Sequence, residues 1–320
     1  MKYLVTGAAG FVGSYVTKKL LKEGNEVVGL DNLNNYYDIR LKEMRLSSLK
    51  DFPSFRFRKI NIADQKEMRI LFEEEKFDIV IHLAAQAGVR YSLKKPFDYV
   101  ESNLVGMVSI LESCRLTKVK HLVYASSSSV YGKNKKVPFS ENDVTDEPAS
   151  LYAATKKSNE LLAFSYSSLY KIPSTGLRFF TVYGPAGRPD MAPWLFTEAI
   201  LNAQKIKVFN HGEMQRDFTY IDDIVEGVFR VLSMPSKDNI PHRILNIGNN
   251  KPIKLEYFIQ VIENACGKKA VKEFVDMQPG DVPVTYADTQ ALEKLVGYKP
   301  KVSIEEGMEN FVQWFIKNWL

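Results

Sequence analysis

Tyr152-Ala-Ala-Thr-Lys156 sets a phenol and an ammonium four residues apart. On a helix spanning 151–170 they stand one turn apart on the same face. A phenol with a pKa near ~10 is a poor base at neutral pH. A cation close by favours the phenolate, and the pair becomes a working acid/base. An exposed helix face accommodates the same spacing, so the chemistry depends on the company the pair keeps. Here a serine run, Ser126 to Ser129, ends a strand-like segment upstream, and a glycine-rich turn opens the chain.

That turn is Gly7-Ala-Ala-Gly10-Phe11-Val12-Gly13, between an apolar run at 2–6 and a helical pattern at 14–23. A strand, a tight turn and a helix N-terminus together form an anion site, with backbone N–H groups and the helix dipole facing a pyrophosphate. The next strand-like run, 26–30, ends in Asp31-Asn32. A carboxylate there accepts from the two ribose hydroxyls of an adenosine and repels a 2′-phosphate, which favours NAD over NADP.

Positioning these groups requires a sheet. Strand-like runs recur at 26–30, 55–59, 79–83, 121–125 and 174–180, with helical patterns at 14–23, 66–75, 97–116 and 151–170. Such alternation predicts an α/β fold, a doubly wound parallel sheet of the Rossmann type. Ligands on such sheets bind beyond the carboxyl ends of the strands, where the Gly7 turn, Leu83-Ala84-Ala85, Ser126–Ser129 and Phe180-Thr181 all fall. After Tyr183 the segments shorten and prolines interrupt them, which predicts a smaller C-terminal α/β lobe that binds substrate. The expected division is a cofactor domain over 1–183, with returning elements at about 217–250, and a discontinuous lobe within 184–320, mainly 184–216 and 251–320.

Composition narrows the function classes. The 320 residues are 45% hydrophobic and 25% charged, as in ordinary globular proteins. The net charge of +5 is dispersed, with no basic run interleaved with aromatics, so nucleic acid is not an expected partner. No segment approaches a membrane span, and the first strand leaves no room for a signal peptide. Cys114 and Cys266 have neither metal-ligand nor disulfide spacing, so no metal is expected and a reducing cytoplasm is the simplest setting.

With the glycine turn, Ser127 and Tyr152-x-x-x-Lys156 in this order, the whole chain resembles the extended short-chain dehydrogenase/reductase superfamily. Ser126-Ser-Ser-Ser-Val-Tyr-Gly132, Arg178-Phe-Phe-Thr-Val-Tyr-Gly184, Gly187-Arg-Pro-Asp-Met191, Arg216-Asp-Phe-Thr-Tyr-Ile-Asp-Asp223 and Gln278-Pro-Gly-Asp281 sharpen the resemblance to the UDP-glucuronate 4-epimerase family. The resemblance implies NAD as cofactor, UDP-glucuronate and UDP-galacturonate as the interconverted sugars, and a homodimer built on the helices around 97–116 and 151–170. Tyr152 would be the acid/base and Ser127 would steady charge on the sugar 4-oxygen. Lys156 would lower the Tyr152 pKa and hold the nicotinamide ribose.

Related dehydratases and decarboxylases place an acid beside the catalytic serine, where this chain has Ser128 and Ser129. That leaves hydride transfer and its reversal as the expected chemistry. The cofactor set implied comprises Gly7, Gly10, Phe11, Val12, Gly13, Asp31, Asn32, Asn61, Ile62, Leu83, Ala84 and Ala85, with Asn61 standing where relatives often carry an adenine-binding Asp. For the sugar carboxylate the candidates are Ser127, Ser128, Thr181 and Arg188, with Arg90 a weaker one, and Ser129 is expected on the substrate as well. Arg suits a carboxylate through its planar fork of donors. Arg216 is expected on the diphosphate, with a structural pairing to Asp217 or Asp222 as its alternative, while Asp281 is expected on the uridine ribose and Phe209 beside uracil. Gln278 replaces the Arg that neutral-sugar epimerases tend to offer the diphosphate, and 4-epimerisation of neutral UDP-hexoses is the competing activity.

Overall fold

Buried strands that read as near-continuous apolar runs pair into one parallel sheet because helices cover both of its faces. The computed structural model of the protein describes residues 1–278 and 281–320. Its strands are β1 (Lys2–Thr6), β2 (Glu26–Asp31), β3 (Phe55–Lys59), β4 (Ile79–His82), β5 (His121–Ser127), β6 (Ser174–Phe179), β7 (Thr181–Tyr183), β8 (Lys205–Phe209), β9 (Gln215–Tyr220), β10 (His242–Ile247), β11 (Pro252–Lys254) and β12 (Val271–Val275). The helices are α1 (Phe11–Lys22), α2 (Ile39–Ser47), α3 (Gln65–Glu75), α4 (Val89–Lys94), α5 (Pro96–Tyr99), α6 (Gly106–Thr117), α7 (Leu151–Tyr170), α8 (Ala192–Leu201), α9 (Ile221–Leu232), α10 (Leu255–Cys266), α11 (Gln290–Val296) and α12 (Ile304–Asn318).

Seven strands form the main sheet in the order β10-β6-β5-β4-β1-β2-β3, and every pairing is parallel. The order reverses between β1 and β4, so a crevice opens there beyond the carboxyl ends. One apolar layer packs α1, α9, α10 and α12 around Val16, Leu20, Val228, Ile259 and Phe311; the other packs α3, α6 and α7 around Phe72, Met107, Ile110 and Ala163. Two small sheets, β11-β9-β7 and β12-β8, stand apart from the main one. Of the segments expected to return to the main sheet, 222–232 is the helix α9, and β10 joins the edge through β6.

Three local features differ from the sequence reading. Helix α1 begins at Phe11 rather than at residue 14. The strand expected over 174–180 stops at Phe179, and the chain resumes as β7 in another sheet. The helix expected over 97–116 is interrupted by a π-helical stretch, Val100–Val105. Such a bulge makes room for one residue outside the regular ladder. That stretch carries the buried Asn103, whose amide exchanges hydrogen bonds with the Gln86 backbone (2.8 and 3.0 Å) and donates to Thr155 Oγ1 (3.0 Å). Hydrophobic periodicity is blind to an inward amide of this kind.

The catalytic helix is placed by one cap and one ion pair. Ser150 Oγ accepts from Ala153 N–H and starts α7 just ahead of Tyr152. One turn beyond Lys156, Glu160 accepts from Ser126 Oγ (2.6 Å) and from Arg178 Nε and Nη2 (2.8 Å each), joining α7 to β5 and β6. Both side chains are almost fully buried, at 5% and 4% exposure. Removing one member of such a pair leaves a desolvated charge. Glu160→Ala is therefore expected to lower unfolding stability by about 3–5 kcal/mol, measured by denaturant titration. A loss below about 1 kcal/mol, the range of exposed pairs, would show that the pair does not hold the sheet.

Candidate active site

One cavity of about 890 Å³ runs along the carboxyl ends of β1, β2, β4, β5 and β6 and under the later segments. Its wall includes Gly7, Gly10, Phe11, Val12, Gly13, Asp31, Asn32, Ile62, Leu83, Ala84 and Ala85 at one end. It continues past Ser127, Ser128, Ser129, Tyr152, Lys156, Thr181, Arg188 and Arg90 to Phe209, Arg216 and Asp281. Asn61 is the exception: it is not on the wall. Its amide donates to Glu101 (3.0 Å) and its carbonyl accepts from Ala63 N–H (3.1 Å), with one lone pair of that oxygen uncommitted. Pro279 and Gly280 of the Gln278–Asp281 motif lie outside the described residues.

The glycine turn is shaped as a cradle. Gly7 sits at φ +73°, and a Cβ on Gly13 would stand 2.0 Å from the Gly7 carbonyl oxygen, so neither position tolerates a side chain without moving backbone. No side chain caps α1, and its first residues, Phe11, Val12 and Gly13, line the cavity. A helix start left uncapped at a cavity wall is a ready anion site. At the far side of the turn, Asp31 accepts from Leu33 N–H (2.8 Å) and lies 3.7 Å from Lys42 Nζ. The residues present fit a dinucleotide.

At the reacting centre, Tyr152 is half-buried, and desolvation raises its phenol above the ordinary value; the Ser127 hydroxyl and then the Arg188 guanidinium pull it back. Lys156, expected to lower this pKa, is itself buried beside the strand end. Its Nζ donates to the Ala125 carbonyl (3.0 Å), and burial depresses its own pKa to about 8. Beneath it His82 is held neutral, its pKa driven to about 3 by burial and by Lys156, and its Nδ1 meets Thr6 Oγ1 at 2.8 Å.

Every carboxylate on the cavity wall is already engaged by a cation. Asp31 faces Lys42; Asp190 grips Arg188 along its Nε–Nη2 edge (3.0 and 2.5 Å) and accepts from Tyr36 (2.9 Å). Burial opposes the Arg188 charge, but Asp190 and the Tyr36 and Tyr152 phenols hold its pKa above the usual range. Asp281 bridges Arg216 (3.2 Å) and Arg90 (3.8 Å), and Arg90 also lies over the Phe209 ring at 5.2 Å. Arg216 thus pairs with neither Asp217 nor Asp222. Asp217 is instead buried and caps the N–H groups of Asn249, Asn250 and Ala287.

Residues 3–248 match the NAD dependent epimerase/dehydratase family. The chain belongs to that family. Its relatives within it include Protein CapI of Staphylococcus aureus, 50% identical over 99% of both chains. The probable UDP-glucuronate 4-epimerase of Rhizobium meliloti is 47% identical over 100% of this chain and 98% of its own. Among solved structures, the UDP-glucuronic acid 4-epimerase of Bacillus cereus, crystallised with UDP-glucuronic acid and NAD, superposes with a TM-score of 0.93 over the whole of both chains at 36% identity. For an epimerase/dehydratase the partners missed from sequence carry most of the new information: Lys42, Tyr36 and Asp190. Asp190 was visible in the Gly187–Met191 motif two residues from Arg188, whereas nothing local marked the other two.

The depressed Lys156 pKa has a pH signature. Between about pH 8 and 10.5 the unfolded chain binds a proton at Lys156 that the folded chain does not, so this residue makes stability rise with pH in that window. Wild type minus Lys156→Met, measured by denaturant unfolding across that range without added cofactor, should rise with pH by about 1.4 kcal/mol per unit at most. A flat difference would mean that burial does not disfavour the ammonium.

Proposed function

We propose that the protein interconverts UDP-glucuronate and UDP-galacturonate by epimerisation at C4, with NAD as its resident cofactor. One observation carries this reading: among the described residues, each carboxylate lining the cavity is paired with a cation, so Tyr152 with Ser127 is the proton-transfer site left to face the sugar. Elimination of water or of a carbon substituent needs a further acid or base. A single phenol that takes a proton and gives it back suits oxidation and reduction at the same carbon.

The N–H groups at the start of α1 would hold the pyrophosphate of NAD, Asp31 the adenosine ribose and Lys156 the nicotinamide ribose. Bound there, NAD supplies a hydride acceptor for C4 that returns the hydride to the other face of the ring. Tyr152 removes the proton of the 4-hydroxyl, and Ser127 donates a hydrogen bond to the same oxygen. After the 4-keto sugar has turned over, Tyr152 returns the proton. A 4-keto uronate is a β-keto acid, so its carboxylate must be kept out of line with the carbonyl π system. Ser128, Ser129 and Thr181 would pin it, together with Arg188 Nη1, since Asp190 occupies the other edge of that guanidinium. Arg216 and Arg90 would take the diphosphate, Phe209 the uracil and Asp281 the uridine ribose.

The Arg188–Asp190 pairing also gives one reason to consider a neutral UDP-hexose, because it leaves that wall of the cavity close to electroneutral. Arg188 and Thr181 beside the serines favour the uronate. The cofactor portion is proposed as residues 1–183 with α9 and β10, and the remaining segments as the nucleotide-sugar lobe. A homodimer is proposed through the outer faces of α5–α7, where Phe97, Leu161 and Phe164 are exposed. A cytoplasmic setting accords with the unpaired thiols of Cys114 and Cys266.

NMR of purified protein with UDP-glucuronate and NAD tests the assignment. UDP-galacturonate without UDP-pentose is expected; UDP-pentose as main product would make it a decarboxylase. Inertness toward UDP-glucuronate with turnover of UDP-glucose would select the neutral-sugar reading. Tyr152→Phe should lower kcat by about 10²–10⁴-fold while NAD stays bound, as judged by nucleotide released on denaturation. Turnover near wild type in that variant would remove Tyr152 as the acid/base.

A further inference from the structure

Arg45 is buried at 3% exposure and has no carboxylate bonded to it. Its guanidinium still spends all five N–H donors. Nε and Nη2 donate to the Ala186 carbonyl (3.0 and 2.7 Å), Nη2 to the Gly187 carbonyl (3.0 Å), and Nη1 to the Ala9 carbonyl (3.2 Å) and the Tyr37 hydroxyl (2.6 Å). The carbonyl acceptors lie on two functional loops far apart in sequence. Ala9 belongs to the glycine turn that faces the cofactor end, and Ala186-Gly187 lead directly into Arg188. Only a planar donor with this many N–H groups can serve both at once.

The loop it holds does not rest in a relaxed conformation. Ala186 adopts φ +54°, left-handed backbone that an L-residue with a Cβ avoids, and its carbonyl receives two of the five bonds. A second tie, Tyr15 Oη to the Pro185 carbonyl (2.9 Å), reaches the same loop from α1. Lys42, three residues before Arg45 on α2, points to the adenosine end through Asn34 (2.9 Å) and Asp31. One short helix thus presents two buried cations, one to each end of the site.

We propose that Arg45 is a positioning residue for Arg188: it fastens the 184–188 loop to the cofactor turn and thereby fixes where Arg188 meets the sugar. This deepens the uronate reading and rests on Arg188 facing the carboxylate. An arginine that merely filled space in the core would be replaceable without regard to Arg188. A positioning residue is not, because its contribution passes through the group it positions.

A double-mutant cycle separates the two. Wild type, Arg45→Lys, Arg188→Ala and the double variant are purified with NAD bound. The KM of UDP-glucuronate and calorimetric Kd values of UDP-glucuronate and UDP are measured for each, with NAD content as the control for the cofactor turn. Arg188→Ala should weaken UDP-glucuronate by about tenfold or more, the loss of one charge-assisted contact, and leave UDP within about twofold. Arg45→Lys keeps the charge but cannot span both loops, and should weaken UDP-glucuronate by about three- to tenfold with UDP again unchanged. In the Arg188→Ala background the Arg45→Lys effect should vanish to within about twofold.

If Arg188→Ala weakens UDP-glucuronate and UDP alike, the carboxylate reading of Arg188 fails. If Arg188→Ala is selective but Arg45→Lys costs the same in both backgrounds, or weakens UDP equally, the positioning role fails while the carboxylate reading stands. Should Arg45→Lys not yield folded protein, Tyr37→Phe removes a single acceptor and completes the same cycle, with a smaller shift of the same sign expected and an additive one overturning the proposal.

Discussion

The geometry of the site depends on one buried carboxylate, Glu160. It lies on α7 one turn past Lys156 and accepts from Ser126 on β5 and Arg178 on β6. An ionised group out of water is tolerated only when its oxygens are satisfied. A slip of α7 against the sheet would strand both charges, so the helix has one admissible register. That register sets Tyr152 against Ser127. Arg178 carries the constraint onward, lying over the Tyr131 ring at 4.8 Å, and Tyr131 Oη donates to Asn246 on β10 (2.6 Å). β5, α7, β6 and the more remote β10 are locked by charge and hydrogen bonding rather than by apolar packing alone.

The cavity obeys a related electrostatic rule. Asp31, Asp190 and Asp281 each sit against a cation, which keeps a concave, partly dehydrated surface from accumulating charge of one sign. A ligand bearing a diphosphate and a carboxylate must then compete with these internal partners for Arg216 and Arg188. Recognition becomes an exchange of counter-ions, in which each arginine trades part of its hold on an aspartate for a ligand oxygen. Differences in affinity are expected to be smaller than bare cations would produce, and orientation more sharply defined.

Most of the architecture was legible because its signals are local. Apolar runs at β1, β4 and β5 and the Gly7–Gly13 turn each act within a few residues, and the topology of parallel sheets puts strand ends together. Tyr152, Ser127 and Thr181 fall on one cavity wall for that reason. What escaped were pairings between distant segments. Arg45 looks like any helical arginine until Ala9 and Ala186 are brought to it, and Asp281 gives no sign of lying between Arg90 and Arg216. The hydrogen bond from Lys156 to the Ala125 carbonyl depends on a rotamer that spacing does not specify. Asn61 is off the cavity wall although its neighbours Ile60 and Ile62 are on it, an alternation that local sequence does not reveal. The π-helical stretch around Asn103 leaves no mark on periodicity at all.

Ala186 has a consequence of a different sort. A glycine there would relieve its left-handed backbone, so the alanine methyl costs the native loop something. The same methyl narrows the conformations open to the segment whenever it detaches, which makes re-docking entropically easier than a glycine would allow. A loop built this way trades ease for stiffness: it returns to one shape and resists moulding around a bulkier guest. The shape of this wall is set by its backbone as much as by the side chains it carries.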